Sequence, residues 1–262
     1  MPTVKTIAAG AGALGAASLA LLSQPVFKGP DNESADAIAD TYQMCLKSSL
    51  SLFKDVKAQC YNRKQIYVLL DRPLVNRDGD AVSVSLTHPS DASIAIEEAS
   101  TCRQYREYVF DGWFAMTTRD MRREGYFKRA CGVLTVLFEA QEASTQHFSN
   151  GSPTDEEVAS LAPNIRFGEF IDGALDTVSV SQSQRFQWEI TMGDQTVYLT
   201  ELANADFDND GVEEILAFSA GMVADGTARF YQTGLLEKDR ENASLRFTPL
   251  KFEDKPVTAA GG

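Results

Sequence analysis

The run Asp206-Phe207-Asp208-Asn209-Asp210-Gly211-Val212-Glu213-Glu214 sets carboxylates at alternate positions and closes them with a glycine and two further acids. Three aspartates and a glutamate held within about 5 Å at an effective dielectric near 20 repel by roughly 3 kcal/mol per pair. A hard divalent cation reverses that sign. Calcium accepts six to eight oxygens in irregular geometry, whereas magnesium keeps its waters and wants an octahedron, so this set points to Ca2+. The expected ligands are the side chains of Asp206, Asp208 and Asp210, the carbonyl of Val212 and the carboxylate of Glu214, with Gly211 supplying a left-handed turn. With calcium at ten times its dissociation constant the folded state gains about 1.4 kcal/mol, which describes a structural brace. An acidic, solvated hairpin turn is the alternative, since Asp, Asn and Gly suit turns for backbone reasons alone.

Spacing separates the loop families. An EF-hand takes its bidentate acid from the twelfth position, which counted from Asp206 is Ala217. Closure at the ninth position, between Tyr198-Leu199-Thr200-Glu201-Leu202 and Glu214-Ile215-Leu216-Ala217-Phe218, resembles the calcium hairpins of FG-GAP and VCBS-type repeats. The resemblance covers about twenty residues and implies a metal role for the loop. Those families repeat the motif in tandem to build propeller blades. No second Asp-x-Asp-x-Asp-Gly occurs here, and Asn76-Arg77-Asp78-Gly79-Asp80 reads as a turn, so a propeller is not expected.

Other chemistry has weaker support. The two histidines, His88 and His147, lie far apart, and zinc would also need cysteines. Phe218-Ser219-Ala220-Gly221 lacks the leading glycine and the following helix of a nucleophile elbow. Acid pairs such as Glu97 with Glu98, or Glu156 with Glu157, carry no information without a measured separation. Arg103, Arg106, Arg119, Arg122, Arg123, Lys128 and Arg129 interleave with Tyr105, Tyr108, Trp113, Tyr126 and Phe127. They could hold an anionic partner, or form a helix face balanced by Glu107, Asp111, Asp120 and Glu124.

The elements that must position the loop are legible in outline. Met1-Pro2-Thr3-Val4-Lys5 and the Ala, Gly and Leu-rich stretch to Leu22 read as a signal peptide over 1–23, or a short N-terminal anchor. Four cysteines in an exported chain imply two bridges. Ser90-Asp91 caps an expected helix from Ala92 to Met116, and Thr117-Thr118 caps another toward Ala143, so a hairpin of the two sets Cys102 against Cys131. Cys45 then pairs with Cys60. A continuous helix would part these by about 22 Å, so the helical stripe Ile38, Tyr42, Cys45, Ser49, Leu52 and Val56 must break, near Ser48 to Ser51.

Ile66 to Leu70 and Ala81 to Leu86 read as a strand pair. Thr154 and Glu157 form a capping box before a short helix. From Val178 onward, six β-rich runs (178–180, 186–190, 195–202, 214–218, 227–236 and 244–250) predict an antiparallel sheet, with Met192-Gly193-Asp194-Gln195 as a hairpin turn. The expected class is α+β, with a disulfide-stapled helical N-terminal region and an antiparallel β-sheet C-terminal region. The regions are 31–148, mainly helical with a β-hairpin; 165–252, β with the calcium loop; and a flexible tail, 253–262.

A formal net charge of -13 on 262 residues argues against nucleic acid as partner. The expected function is an exported calcium-binding protein, a non-enzymatic binding or structural module that is periplasmic or secreted. The alternatives are an inhibitor or immunity-type protein for a secreted enzyme, presenting the helical hairpin, and a carboxylate-based hydrolase of envelope polymer. An envelope or extracellular protein is the expected partner, with membrane contact only through an uncleaved N-terminal segment.

Overall fold

In the computed structural model, residues 43–50, 52–53, 56–76, 78–89, 96–162, 165, 178–224 and 229–251 are described. The expected signal peptide or anchor 1–23, the expected Ser90-Asp91 cap and the expected tail 253–262 lie outside them.

The first cysteines sit on strands. β1 (Gln43–Cys45) pairs antiparallel with β2 (Cys60–Asn62), and Cys45 lies directly opposite Cys60, with Cα atoms 3.8 Å apart in the disulfide. Cys45 therefore lies on a strand and not on the expected helical stripe, whose members Ile38 and Tyr42 lie outside the described residues. Met44 and Tyr61 turn inward between more exposed neighbours, which is the two-residue period of a strand. The expected strand at Ile66 to Leu70 is instead α1 (Arg63–Leu69). Its start is fixed by a capping box: Asn62 Oδ1 accepts from the Gln65 amide at 2.8 Å, and Gln65 Oε1 accepts from the Asn62 amide at 2.9 Å. Buried Ile66, Leu69 and Leu70 then fall at helical spacing.

Asn76 to Asp80 is the expected turn, closed by the Asn76 amide donating to Asp80 O at 2.8 Å, with Gly79 at φ 84. β3 (Val84–Leu86) follows it, but pairs with β4 (Glu97–Ala99), which occupies part of the span expected to be helical. Among the described residues only α2 (Cys102–Phe110) remains of that helix, capped by Thr101 and stopped at Asp111-Gly112, where Gly112 has φ 87. α3 (Thr118–Glu139) begins at the expected cap, Thr117, whose side chain accepts from the Asp120 amide at 3.1 Å. Cys102 and Cys131 are bridged, with Cα atoms 5.3 Å apart. The N-terminal half is thus mixed rather than clearly helical, with helices interleaved with two small antiparallel sheets.

α4 (Asp155–Ser160) starts at the Thr154 and Glu157 capping box. Beyond it β5 (Val178–Gln184), β6 (Gln187–Met192), β7 (Gln195–Ala205), β8 (Glu214–Val223), β9 (Arg229–Glu237) and β10 (Arg246–Pro249) form one antiparallel meander in which each strand pairs with its neighbour in sequence. Period-two alternation gives this sheet two buried faces. Leu216 and Leu235 join the core shared with α1, α2 and α3, while their neighbours Ile215, Ala217 and Leu236 join a second core with Phe148, Val158 and Leu161. The first core also takes in Leu202, Ala203, Ala205 and Phe207, so the start of the β7–β8 loop is packed against the helical half.

Candidate metal site and a buried ion pair

The acidic run is the connection between β7 and β8, as its flanking residues predict. Asp206 leaves the end of β7 and is held from outside the hairpin: its amide donates to Gln141 O at 3.0 Å, and its carbonyl accepts from the Gln141 amide at 2.9 Å. Further along, Gly211 O accepts from the amides of Ser144 and Thr145 at 3.0 and 3.1 Å, and Thr145 O accepts from the Glu213 amide at 2.8 Å. The segment that follows α3 therefore clamps both ends of the loop.

Within it the aspartates organise the backbone. Asp206 Oδ1 accepts from the amides of Asn209 and Asp210 at 2.7 and 3.2 Å, and Oδ2 accepts from Gly211 at 2.9 Å. Asp208 and Asp210 each accept from the amide two residues on, at 3.2 and 2.7 Å. Two left-handed residues, Asn209 at φ 67 and Gly211 at φ 87, complete the coil. At Gly211 a Cβ would stand 3.1 Å from Ser144 Oγ, so position 211 is tight as well as left-handed.

This coil brings Asp206, Asp208, Asp210 and Glu214 together, with one carboxylate oxygen from each lying within 4.8 Å of all the others. Asp206 and Glu214 are buried, and Asp208 and Asp210 are exposed. No ion pair joins any of the four to a cationic side chain among the described residues. The electrostatic result is visible at Glu214, where burial, reinforced by the charges of the three aspartates, pushes the carboxyl up to about 8 against the pull of its bond from the Phe207 amide. Asp208, exposed at its outer side, is raised by the partial burial of its carboxyl first and then by the charge of Asp210. Four hard oxygens in this span could hold a metal ion. Val212, the fifth expected ligand, sits in the same coil with its amide donating to Asp210 Oδ1 at 2.7 Å.

Glu213 points the other way, to a site that sequence reasoning missed. Lys47 extends from the segment after β1 into a cluster where its ammonium donates to Glu201 Oε2, to Gly151 O and, at 3.0 Å, to Ser152 Oγ, and lies 5.2 Å from the Phe186 ring centre. Glu201 is fully buried. Asn204 Nδ2 donates to Gly151 O at 2.7 Å and to Glu213 Oε1 at 3.1 Å. Burial lowers the Lys47 amine and raises the Glu201 carboxyl from their ordinary ranges, and each partly restores the other. One local signal was available: Val197, Leu199 and Glu201 share the inward parity of β7, so Glu201 is a charge at a core position. Nothing local names Lys47 as its partner, 154 residues earlier.

The other candidates are dispersed. His88 packs edge-on against Trp113, 5.4 Å between ring centres, whereas the carbonyl of His147 accepts from Lys238 at 3.2 Å. Ser219 is buried in mid-strand on β8. Glu97 accepts from Tyr108 at 3.3 Å, and Glu157 is engaged by its cap and by Lys238 at 2.6 Å. Arg103 is paired with Asp71 and stacked 4.8 Å over Tyr67. A groove of about 440 Å³ beside α1, with Lys64 and Arg72 on its walls, is lined by no carboxylate, which gives a two-acid hydrolase no support there. Comparison with family models, with curated proteins and with solved structures finds no match to this chain.

Proposed function

We propose that this is an exported calcium-binding protein in which the Asp206 to Glu214 loop takes one Ca2+ as a structural brace, within a non-enzymatic binding or structural module of the envelope or extracellular space. One observation carries the reading. Buried Asp206 and Glu214 converge with Asp208 and Asp210, and none of the four has a cationic side chain paired to it among the described residues. Isolated buried charge is costly, and a bound divalent ion is the simplest way to neutralise it.

Calcium suits the site better than a softer or smaller ion. The donors are all carboxylate oxygens, which disfavour zinc and copper. Ligands on opposite sides of an ion at about 2.4 Å from its centre lie about 4.8 Å apart, the span these oxygens occupy. The Val212 carbonyl and water would complete the shell, in keeping with the similarity to FG-GAP and VCBS-type hairpins. Because the loop is clamped by 141–145, a bound ion would tie the β7–β8 hairpin to the end of α3. The two disulfides support an oxidising compartment.

Thermal melting in chelator and in rising calcium tests the reading. Calcium at ten times its dissociation constant should add about 1.4 kcal/mol, a rise of roughly 3–5 °C for a chain of this size. A midpoint indifferent to millimolar calcium would overturn it.

A further inference from the structure

Five of the seven large apolar side chains that are exposed among the described residues lie at or near the corner where α2 turns into α3. Phe110 is 60% exposed, Phe114 42%, Met116 56% and Met121 54%, and Ile96, which leads into β4, is 66% exposed. Four of these lie in one stretch, 110–121, and backbone pairing brings the segment of Ile96 beside it. The Cys102–Cys131 bridge fixes the two helices side by side. Phe110 lies eight residues along α2 from that bridge, and Arg119 lies twelve residues back along α3, roughly 12 and 18 Å in the same direction. Phe114 is held there by reciprocal backbone bonds with Thr87 at 2.9 and 3.1 Å, and Thr87 follows directly on β3, the partner of β4.

Arg119, Arg122 and Arg123 occupy one face of the first turns of α3, with side chains of Arg119 and Arg123 73% and 42% exposed. The acid between them, Asp120, is buried, with Oδ2 engaged by Thr117 and Oδ1 lying 3.8 Å from Arg119 Nε and 3.9 Å from Arg123 Nη1, so it neutralises these two in part. Glu124 turns in toward the Ala115 amide at 3.4 Å. Asp111 and Glu107 on the α2 side, and Glu98 two residues after Ile96, are exposed acids near them. A protein of net charge -13 thus carries three solvent-accessible arginines beside an apolar tip.

We propose that this tip docks on an anionic phospholipid surface, with Arg119, Arg122 and Arg123 meeting lipid phosphates while Phe110, Phe114, Met116 and Met121 enter the headgroup boundary. A helix-turn corner projects side chains outward, as shallow insertion into a soft interface requires, and guanidinium matches phosphate bidentately. The net charge of -13 disfavours such an approach by the acidic parts of the remaining surface. The inference does not depend on the metal loop, which lies beyond the opposite end of α3.

Trp113 provides a local reporter. It sits half-buried at the tip against His88 and Tyr108, whereas Trp188 is buried in the second core with its Nε1 donating to Asp155 at 3.1 Å. The full chain is mixed with phosphatidylcholine vesicles containing about one third phosphatidylglycerol and carrying brominated acyl chains, and with neutral vesicles bearing the same quencher. The expected result is quenching on the anionic vesicles that is lost in Trp113→Phe and falls with salt. Quenching should require at least tenfold more lipid after combined Arg119→Glu, Arg122→Glu and Arg123→Glu, or after Phe114→Ser with Met121→Ser, in variants that melt like the parent. Equal quenching on neutral vesicles, or quenching that survives charge reversal, would overturn the proposal. So would a Trp113 that stays unquenched on a chain that floats with vesicles through its first residues, or a salt-stable dimer that buries Trp113.

Discussion

Two acidic sites lie on the same strand pair, and they are neutralised differently. Glu201 on β7 is fully buried and is met by the ammonium of Lys47. Glu214, which opens β8, is equally removed from water, yet its neighbours are three further acids. The adjacent residues Glu213 and Glu214 belong one to each site, because successive side chains of an extended chain turn opposite ways. Within one small region the chain has supplied an internal cation to one carboxylate and withheld it from the other. The contrast teaches that the loop's deficit of positive charge is local, and is what a mobile ion would fill.

Removing the internal cation should have the largest effect. Lys47→Met turns the first site into a buried acid without a counter-charge, and a loss of roughly 3–5 kcal/mol is expected in denaturant unfolding, with no recovery on adding calcium. An unchanged midpoint would mean that Glu201 is protonated in the fold, and the comparison would fail.

The second effect is a pH dependence of the metal-free protein. Glu214 titrates near 8 when folded and near its ordinary value when unfolded. The native state therefore binds the extra proton between those limits, and its contribution to stability is present below the unfolded value and is lost as pH rises through about 8. Relative to Glu214→Gln, the metal-free protein should lose roughly 1–3 kcal/mol across that window, less than a full-shift conversion would give. Saturating calcium should abolish the loss, since the ion favours the ionised carboxylate. A difference between the two proteins that stays flat with pH would show that Glu214 carries no excess proton.

The smallest effect concerns the exposed members of the loop. Asp208→Asn combined with Asp210→Asn should stabilise the metal-free protein by about 0.5–1 kcal/mol through relief of screened repulsion, and should remove its response to calcium. Melting in chelator and in calcium reads both signs. Destabilisation in chelator would indicate that the carboxylates are already satisfied by the backbone amides they accept from.

What could be read in advance divides along the range of the forces involved. The loop was legible because its acids, its glycine and its turn chemistry are contained in residues 206–214, as were the Thr117 and Thr154 caps and the alternating strands from Val178 onward. The N-terminal half was harder. Ile66 to Leu70 is as apolar as a strand, and only the pairing of Asn62 with Gln65 marks it as a helix start. β1 and β2 were hidden because a three-residue strand carries too little periodicity to outweigh a helical stripe. β4 lies inside a helix-like span and is defined by its register with Val84 to Leu86. The Lys47 and Glu201 pair was beyond reach for the plainest reason, since its partners meet only when the chain has folded.

Calorimetric titration of calcium into metal-free protein addresses the central claim most directly, with Asp206→Asn beside the parent. One site per chain in the parent, with binding abolished or weakened at least a hundredfold in the variant, is the predicted result. No binding heat at millimolar calcium at any temperature tried, or equal affinity in the two proteins, would contradict it.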